Sequence, residues 1–110
     1  MSLPVAGHRD LSLDEVKQGL VDNSILLVDV REPHEFEAAH IPGAVSLPLS
    51  RFDPAEIAPL PGQKVVFSCR SGSRTLKAIA ASLAAGFPYD THFPGSMLEW
   101  VGAGEPVEPG

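Results

Sequence analysis

The stretch KVVFSCRSGSRTLKAIAASLAAG, residues 64–86, decides how the rest of the chain is read. It opens on an unalternating apolar run, Lys64 to Phe67, which reads as a buried strand. It closes on an Ala- and Leu-rich segment, Arg74 to Ala85, the strongest helix former in the sequence. Gly86 stands where a helix-ending glycine belongs. Between strand and helix lies a short loop that carries the only cysteine of the protein, Cys69.

The same alternation extends outward in both directions. Ile25 to Val30 is a second continuous apolar run, suited to a strand covered on both faces. Pro33 fits the first turn of a helix carrying Glu35, Phe36, Ala38 and Ala39. Upstream, Ser12 and Glu15 form a capping-box pattern that starts a helix from Leu13 to about Val21, with Leu13, Val16 and Leu20 on one face. Arg9-Asp10-Leu11 reads as a short edge strand. Pro42-Gly43 is a turn, Ala44 to Leu47 a short strand, and Ser50 to Ile57 a short helix. Beyond the break at Pro59 to Gly62 come a last strand in Tyr89 to Phe93 and a last helix in Met97 to Val101. The tail GAGEPVEPG offers little to pack. Strands that alternate with helices predict an α/β domain with a central, mostly parallel five-stranded sheet and helices on both faces. In such sheets ligands bind beyond the carboxyl ends of the strands, and Cys69 lies just past such an end. One domain is expected over residues 1–110, with an ordered core of about 8–107 and short terminal tails.

The net charge of -6 and the pI near 5.0 argue against general nucleic-acid binding. No segment approaches the length of a membrane span, and no signal-peptide pattern opens the chain, so a cytoplasmic location is expected. A single cysteine excludes an internal disulfide and a Cys-rich zinc cluster. It leaves two readings, an inert small hydrophobe or a reactive thiol.

The loop CRSGSR bears on that choice. Gly72 permits backbone angles closed to other residues. Successive amides between strand and helix make a concave nest for an anion, and the start of the following helix adds free N–H groups. Arg70 and Arg74 add full charges in forked geometry. A thiol in that setting loses its proton readily. His8, His34, His40 and His92 have no telling spacing to Cys69, so surface or structural roles are expected of them. Trp100 is expected in the core.

Three segments together resemble the single-domain rhodaneses, a sulfurtransferase family. ILLVDVREPHEFEAAHIPGAVSLP resembles the family's first signature, VVFSCRSGSRT its active-site segment, and PGSMLEWVGAGEPV its C-terminal segment, with Ser96 where a second glycine usually stands. The resemblance runs from about Leu11 to Val107. It implies a rhodanese-like fold and a Cys69 persulfide that carries sulfur from thiosulfate or another small anionic sulfur donor to cyanide, a thiol or a protein acceptor. It implies no metal and no organic cofactor. Cys69 is then the nucleophile, and Arg70 holds the donor. Arg74 either binds the donor or braces the loop. Ser71, Gly72 and Ser73 contribute amides, and the hydroxyls of Ser73 or Thr75 face the thiolate. Asp29 and Arg31 support the loop, with Glu35 a partner for Arg31, and His40 braces a turn. A monomer or weak homodimer suits this role.

Two other readings share the fold. A dual-specificity-type phosphatase or arsenate reductase places five residues between cysteine and arginine, where this chain has four between Cys69 and Arg74. A non-catalytic interaction module often lacks the cysteine or the charged loop, and this chain keeps both.

Overall fold

The computed structural model describes residues 7–110; most of the N-terminal tail expected ahead of residue 8 lies outside them. The two strongest apolar runs form the centre of the sheet. β2 (Ile25–Asp29) and β4 (Lys64–Ser68) pair in parallel, in register from Ile25 against Lys64 to Asp29 against Ser68. The shorter strands flank them: β1 (Arg9–Asp10), β3 (Val45–Ser46) and β5 (Thr91–His92). The order is β1-β5-β4-β2-β3, and every pairing is parallel.

Alternation along β2 and β4 sorts two cores, because successive side chains leave opposite faces of a strand. Val28, Val30, Val65, Phe67 and Cys69 face one way, against Ala78 and Ile79 of α3 (Arg74–Ala84). Ile25, Leu27 and Val66 face the other, against Val16 of α1 (Leu13–Asp22) and Met97 and Trp100 of α4 (Ser96–Gly102). Helices therefore cover both faces. α2 (Pro33–Ala38) buries none of its residues and sits at the carboxyl end of β2. None of the helices is long and apolar enough to cross a membrane.

Local signals place the boundaries. Ser12 caps α1 by accepting from Glu15 N at 3.2 Å, while Ser12 N donates back to Glu15 Oε1 at 2.9 Å. Asn23 ends the helix in the left-handed region, at φ 61°.

Two expectations need correction. Ser50 to Ile57 is not one helix but two 3-10 turns, Leu49–Arg51 and Pro54–Glu56. Pro54 lacks the N–H a continuing helix needs, and it forces Asp53 into an extended conformation at φ -136° and ψ 105°. Asp53 Oδ1 then caps the second turn by accepting from Ala55 N at 3.0 Å. The C-terminal tail is also docked. His40 and Glu108 exchange backbone hydrogen bonds at 2.9 and 3.0 Å, Gly110 N donates to Glu37 O at 2.9 Å, and Trp100 Nε1 donates to Pro106 O at 2.7 Å.

Candidate active site

β4 ends at Ser68, and the chain turns through residues 69–73 into α3. Gly72 makes the turn at φ +93°. A Cβ there would sit 2.4 Å from the carbonyl oxygen of Pro94, so both the angle and the space demand glycine. The turn aims Gly72 N at Cys69 Sγ, 3.1 Å away.

Cys69 is wholly covered and packs in the core layer shared with α3. Burial pushes the thiol pKa up. The backbone amides of Thr75, Gly72, Ser71 and Arg74 outweigh it and leave the pKa below the ordinary cysteine value. The sulfur thus faces the Gly72 amide, while Arg70, Ser71 and Ser73 of the same loop are exposed. Two surface hollows lie elsewhere: one at the amino ends of β4 and β5, beside Lys64 and Tyr89, the other between α1 and α4, beside Leu20 and Trp100. Neither hollow reaches the cysteine loop.

The start of α4 clamps the loop from the other side. Met97 N donates to Cys69 O and Leu98 N to Arg70 O, both at 3.1 Å. Ser96, at φ 51° and fully buried, accepts from Cys69 N at 3.0 Å and donates its hydroxyl hydrogen to Phe93 O at 2.8 Å. Its oxygen lies 3.9 Å from Cys69 Sγ, but that single hydrogen is already given to Phe93. Replacing a glycine here with serine therefore supplies an acceptor for the backbone of the cysteine. The sequence signalled this position only as a departure from the family pattern.

The charged residues separate into distinct sets. Arg74 donates to both oxygens of Glu35, at 2.7 and 3.1 Å, and the pair is about one-quarter exposed. That bidentate bond from Arg74, against a smaller opposing effect of burial, brings the Glu35 pKa down to about 2. Arg31 is buried. It donates to the Asp29 carboxylate, with its shortest contact at 2.8 Å, and to Ala39 O at 2.8 Å. Glu35 is thus the partner of Arg74 and not of Arg31, because α2 turns it across to the cysteine loop. Asp29 and Arg31 close the end of β2 instead. Arg70 is exposed, and its guanidinium has no polar partner among the described residues.

Thr75 departs from expectation. Its hydroxyl does not face the sulfur; it lies 2.8 Å from Gly72 O and 2.7 Å from His92 Nδ1. Its amide is still among the groups that favour the Cys69 thiolate. His92, whose spacing to Cys69 signalled nothing, is buried and reaches Asp10 Oδ1 through Nε2 at 3.0 Å. Burial lowers its pKa despite that carboxylate. His40 stacks on Phe36 and contacts Phe36 O through Nδ1 at 2.9 Å, next to the turn at Pro42-Gly43.

The site is thus a cysteine held in a glycine-turned loop between a strand and a helix, at the carboxyl edge of a parallel α/β sheet. The chain belongs to the rhodanese-like domain family, whose model matches residues 12–103. It is 38% identical over 96 residues to an uncharacterised protein of Synechocystis, covering 87% of this chain and 52% of that one. It is 30% identical over 115 residues to the thiosulfate:glutathione sulfurtransferase of Saccharomyces cerevisiae, covering 91% and 83%. A crystal structure of thiosulfate sulfurtransferase from Pseudomonas aeruginosa superimposes with a TM-score of 0.82 at 27% identity, covering 96% of this chain and 21% of that one. The chain thus spans about half of one of these relatives and a fifth of another.

Proposed function

We propose that the protein is a sulfurtransferase working through a persulfide on Cys69. The observation that carries this reading is the Gly72 amide held 3.1 Å from the Cys69 sulfur at the end of β4, in a loop whose amides together favour the thiolate against burial. The thiolate attacks the outer sulfur of thiosulfate or a related sulfane donor. A new S–S bond forms, the old one breaks, and sulfite or another leaving group departs with the electron pair. The acceptor, a thiolate or cyanide, then attacks the terminal sulfur and expels the Cys69 thiolate. This is covalent double displacement and predicts ping-pong kinetics. The amides stabilise charge on sulfur in both halves, as an oxyanion hole does on oxygen.

Arg70 meets the donor, since it follows Cys69 directly and is exposed. Arg74 braces, since both of its forks engage Glu35. Donor entry requires the loop side chains over Cys69 to part, because the residue is covered. The name of the yeast relative supports thiosulfate as donor and a small thiol as acceptor. The chain has no second cysteine, so the accepting thiol comes from another molecule. All groups of the nest come from one chain, so a monomer or weak homodimer suffices. A free reactive thiol suits the reducing cytoplasm.

The test is the mass of the intact protein after incubation with thiosulfate under non-reducing conditions. One sulfur, about 32 Da, is expected as the covalent intermediate. It should be absent in Cys69→Ser, which should also lose thiosulfate:cyanide transfer while keeping its fold. An unchanged wild-type mass, or retained transfer in Cys69→Ser, refutes the reading.

A further inference from the structure

Outside the cysteine loop, the strand register gathers a second group of ligating side chains. His8 and Asp10 are two residues apart, so they share a face at the sheet edge. Asp10 is the register partner of His92 on β5. His92 Nε2 lies 3.0 Å and His8 Nε2 3.3 Å from the same oxygen, Asp10 Oδ1. One ligand atom from each residue lies within 4.8 Å of the others. Ligands held about 2.0–2.2 Å from a tetrahedral zinc ion stand roughly 3.3 Å apart, close to this spacing.

The hydrogen count around His92 singles out the same point. Thr75 has one hydroxyl hydrogen, and Gly72 O, 2.8 Å away, can only accept it. His92 Nδ1, 2.7 Å from the same hydroxyl oxygen, must then supply the hydrogen for that contact. With Nδ1 committed to the Thr75 hydroxyl, Nε2 is the ring atom left to meet Asp10 Oδ1, either through a second ring hydrogen or through a shared cation. His92 has little freedom to turn away, since its side chain is only 4% exposed. Either occupant sits between His92 Nε2 and the carboxylate, and His8 Nε2 lies 3.3 Å from the same oxygen. Of the two, only a cation also takes His8 Nε2 as a third ligand.

We propose that His8, Asp10 and His92 form a binding site for a divalent first-row transition ion of the zinc type. Two imidazoles and one carboxylate are the donors such ions select, whereas magnesium and calcium ask for oxygen. The Thr75 hydroxyl, backed by Gly72 O, fixes the ring of His92 as outer partners of ligating histidines do. Asp10 is largely exposed, so a fourth position faces solvent. Such an ion ties edge strand β1 to the first turn of α3. Its presence reaches the sulfur through Thr75, whose hydroxyl meets His92 and whose amide favours the Cys69 thiolate.

The test uses the full chain carrying Cys69→Ser, so that no thiolate competes, after stripping with a chelator. Titration with Zn2+ against a chromogenic chelator should show one equivalent bound, and Zn2+ should raise the thermal midpoint. His8→Ala and Asp10→Asn, both outside the core, should each weaken binding at least about tenfold. His34→Ala should leave it unchanged. Co2+ should give the intense visible absorption of a four-coordinate site. No stoichiometric binding, or binding indifferent to both His8→Ala and Asp10→Asn, overturns the proposal. Sulfur transfer enters none of these readouts, so the two proposals stand or fall separately.

Discussion

Gly72→Ala tests the amide nest directly. At φ +93° an alanine costs about 1–2 kcal/mol in the backbone alone. Its Cβ would also lie 2.4 Å from Pro94 O. That carbonyl cannot retreat cheaply, since the residues after it hold the cysteine backbone: Ser96 Oγ accepts from Cys69 N, and Met97 N donates to Cys69 O. The cheaper relaxation is to swing the Gly72 peptide, which carries its N–H away from Cys69 Sγ. A hydrogen bond to a charged group is worth about 1.5–3 kcal/mol. At about 1.4 kcal/mol per factor of ten, the thiolate population at a fixed pH below its titration should fall about ten- to a hundredfold. Alkylation by iodoacetamide, followed by intact mass across a pH series, measures this at one site because Cys69 is the only thiol. A variant that is folded by circular dichroism, yet alkylates with the wild-type pH profile, would show that the Gly72 amide does not hold the thiolate.

Three further outcomes are expected. Arg70→Ala should raise the donor KM by about ten- to a hundredfold, the value of one charged hydrogen bond, while unfolding in urea shifts by no more than about 0.5 kcal/mol; steady-state kinetics with thiosulfate reads the first. Glu35 has a folded pKa of about 2 against 4.5, so the stability it provides is present above about pH 4.5 and is lost as pH falls toward 2. Glu35→Gln should therefore flatten the urea-midpoint profile over that range at a cost near 1 kcal/mol at pH 7. Ser68 Oγ is buried with no hydrogen-bond partner, so Ser68→Ala should raise stability by about 1 kcal/mol in thermal or urea unfolding.

Much of this arrangement was legible in the chain because it is local. The strand, glycine turn and helix around Cys69 lie within a few residues of one another, and so do Ser12 with Glu15 and Pro33 at the start of α2. Long-range pairings were not legible. Glu35 and Arg74 are 39 residues apart, and only the packing of α2 across the end of the sheet decides that Arg74 grips Glu35. His92 and Asp10 are 82 apart, and only the β1–β5 register brings them together. The tail looked idle because Val107 is its one large apolar residue. What docks it is mainly backbone hydrogen bonding to residues 37 and 40, which composition does not reveal.

The first turn of α4 has no side-chain cap. Two of its amides, at Met97 and Leu98, are satisfied by the carbonyls of Cys69 and Arg70. Neither partner can let go without exposing the other's unpaired backbone, so the Cys69 loop and this helical turn must loosen as one unit. Deuterium uptake at positions 97 and 98, well removed from the reacting sulfur in sequence, would therefore time how often the donor's entrance stands ajar.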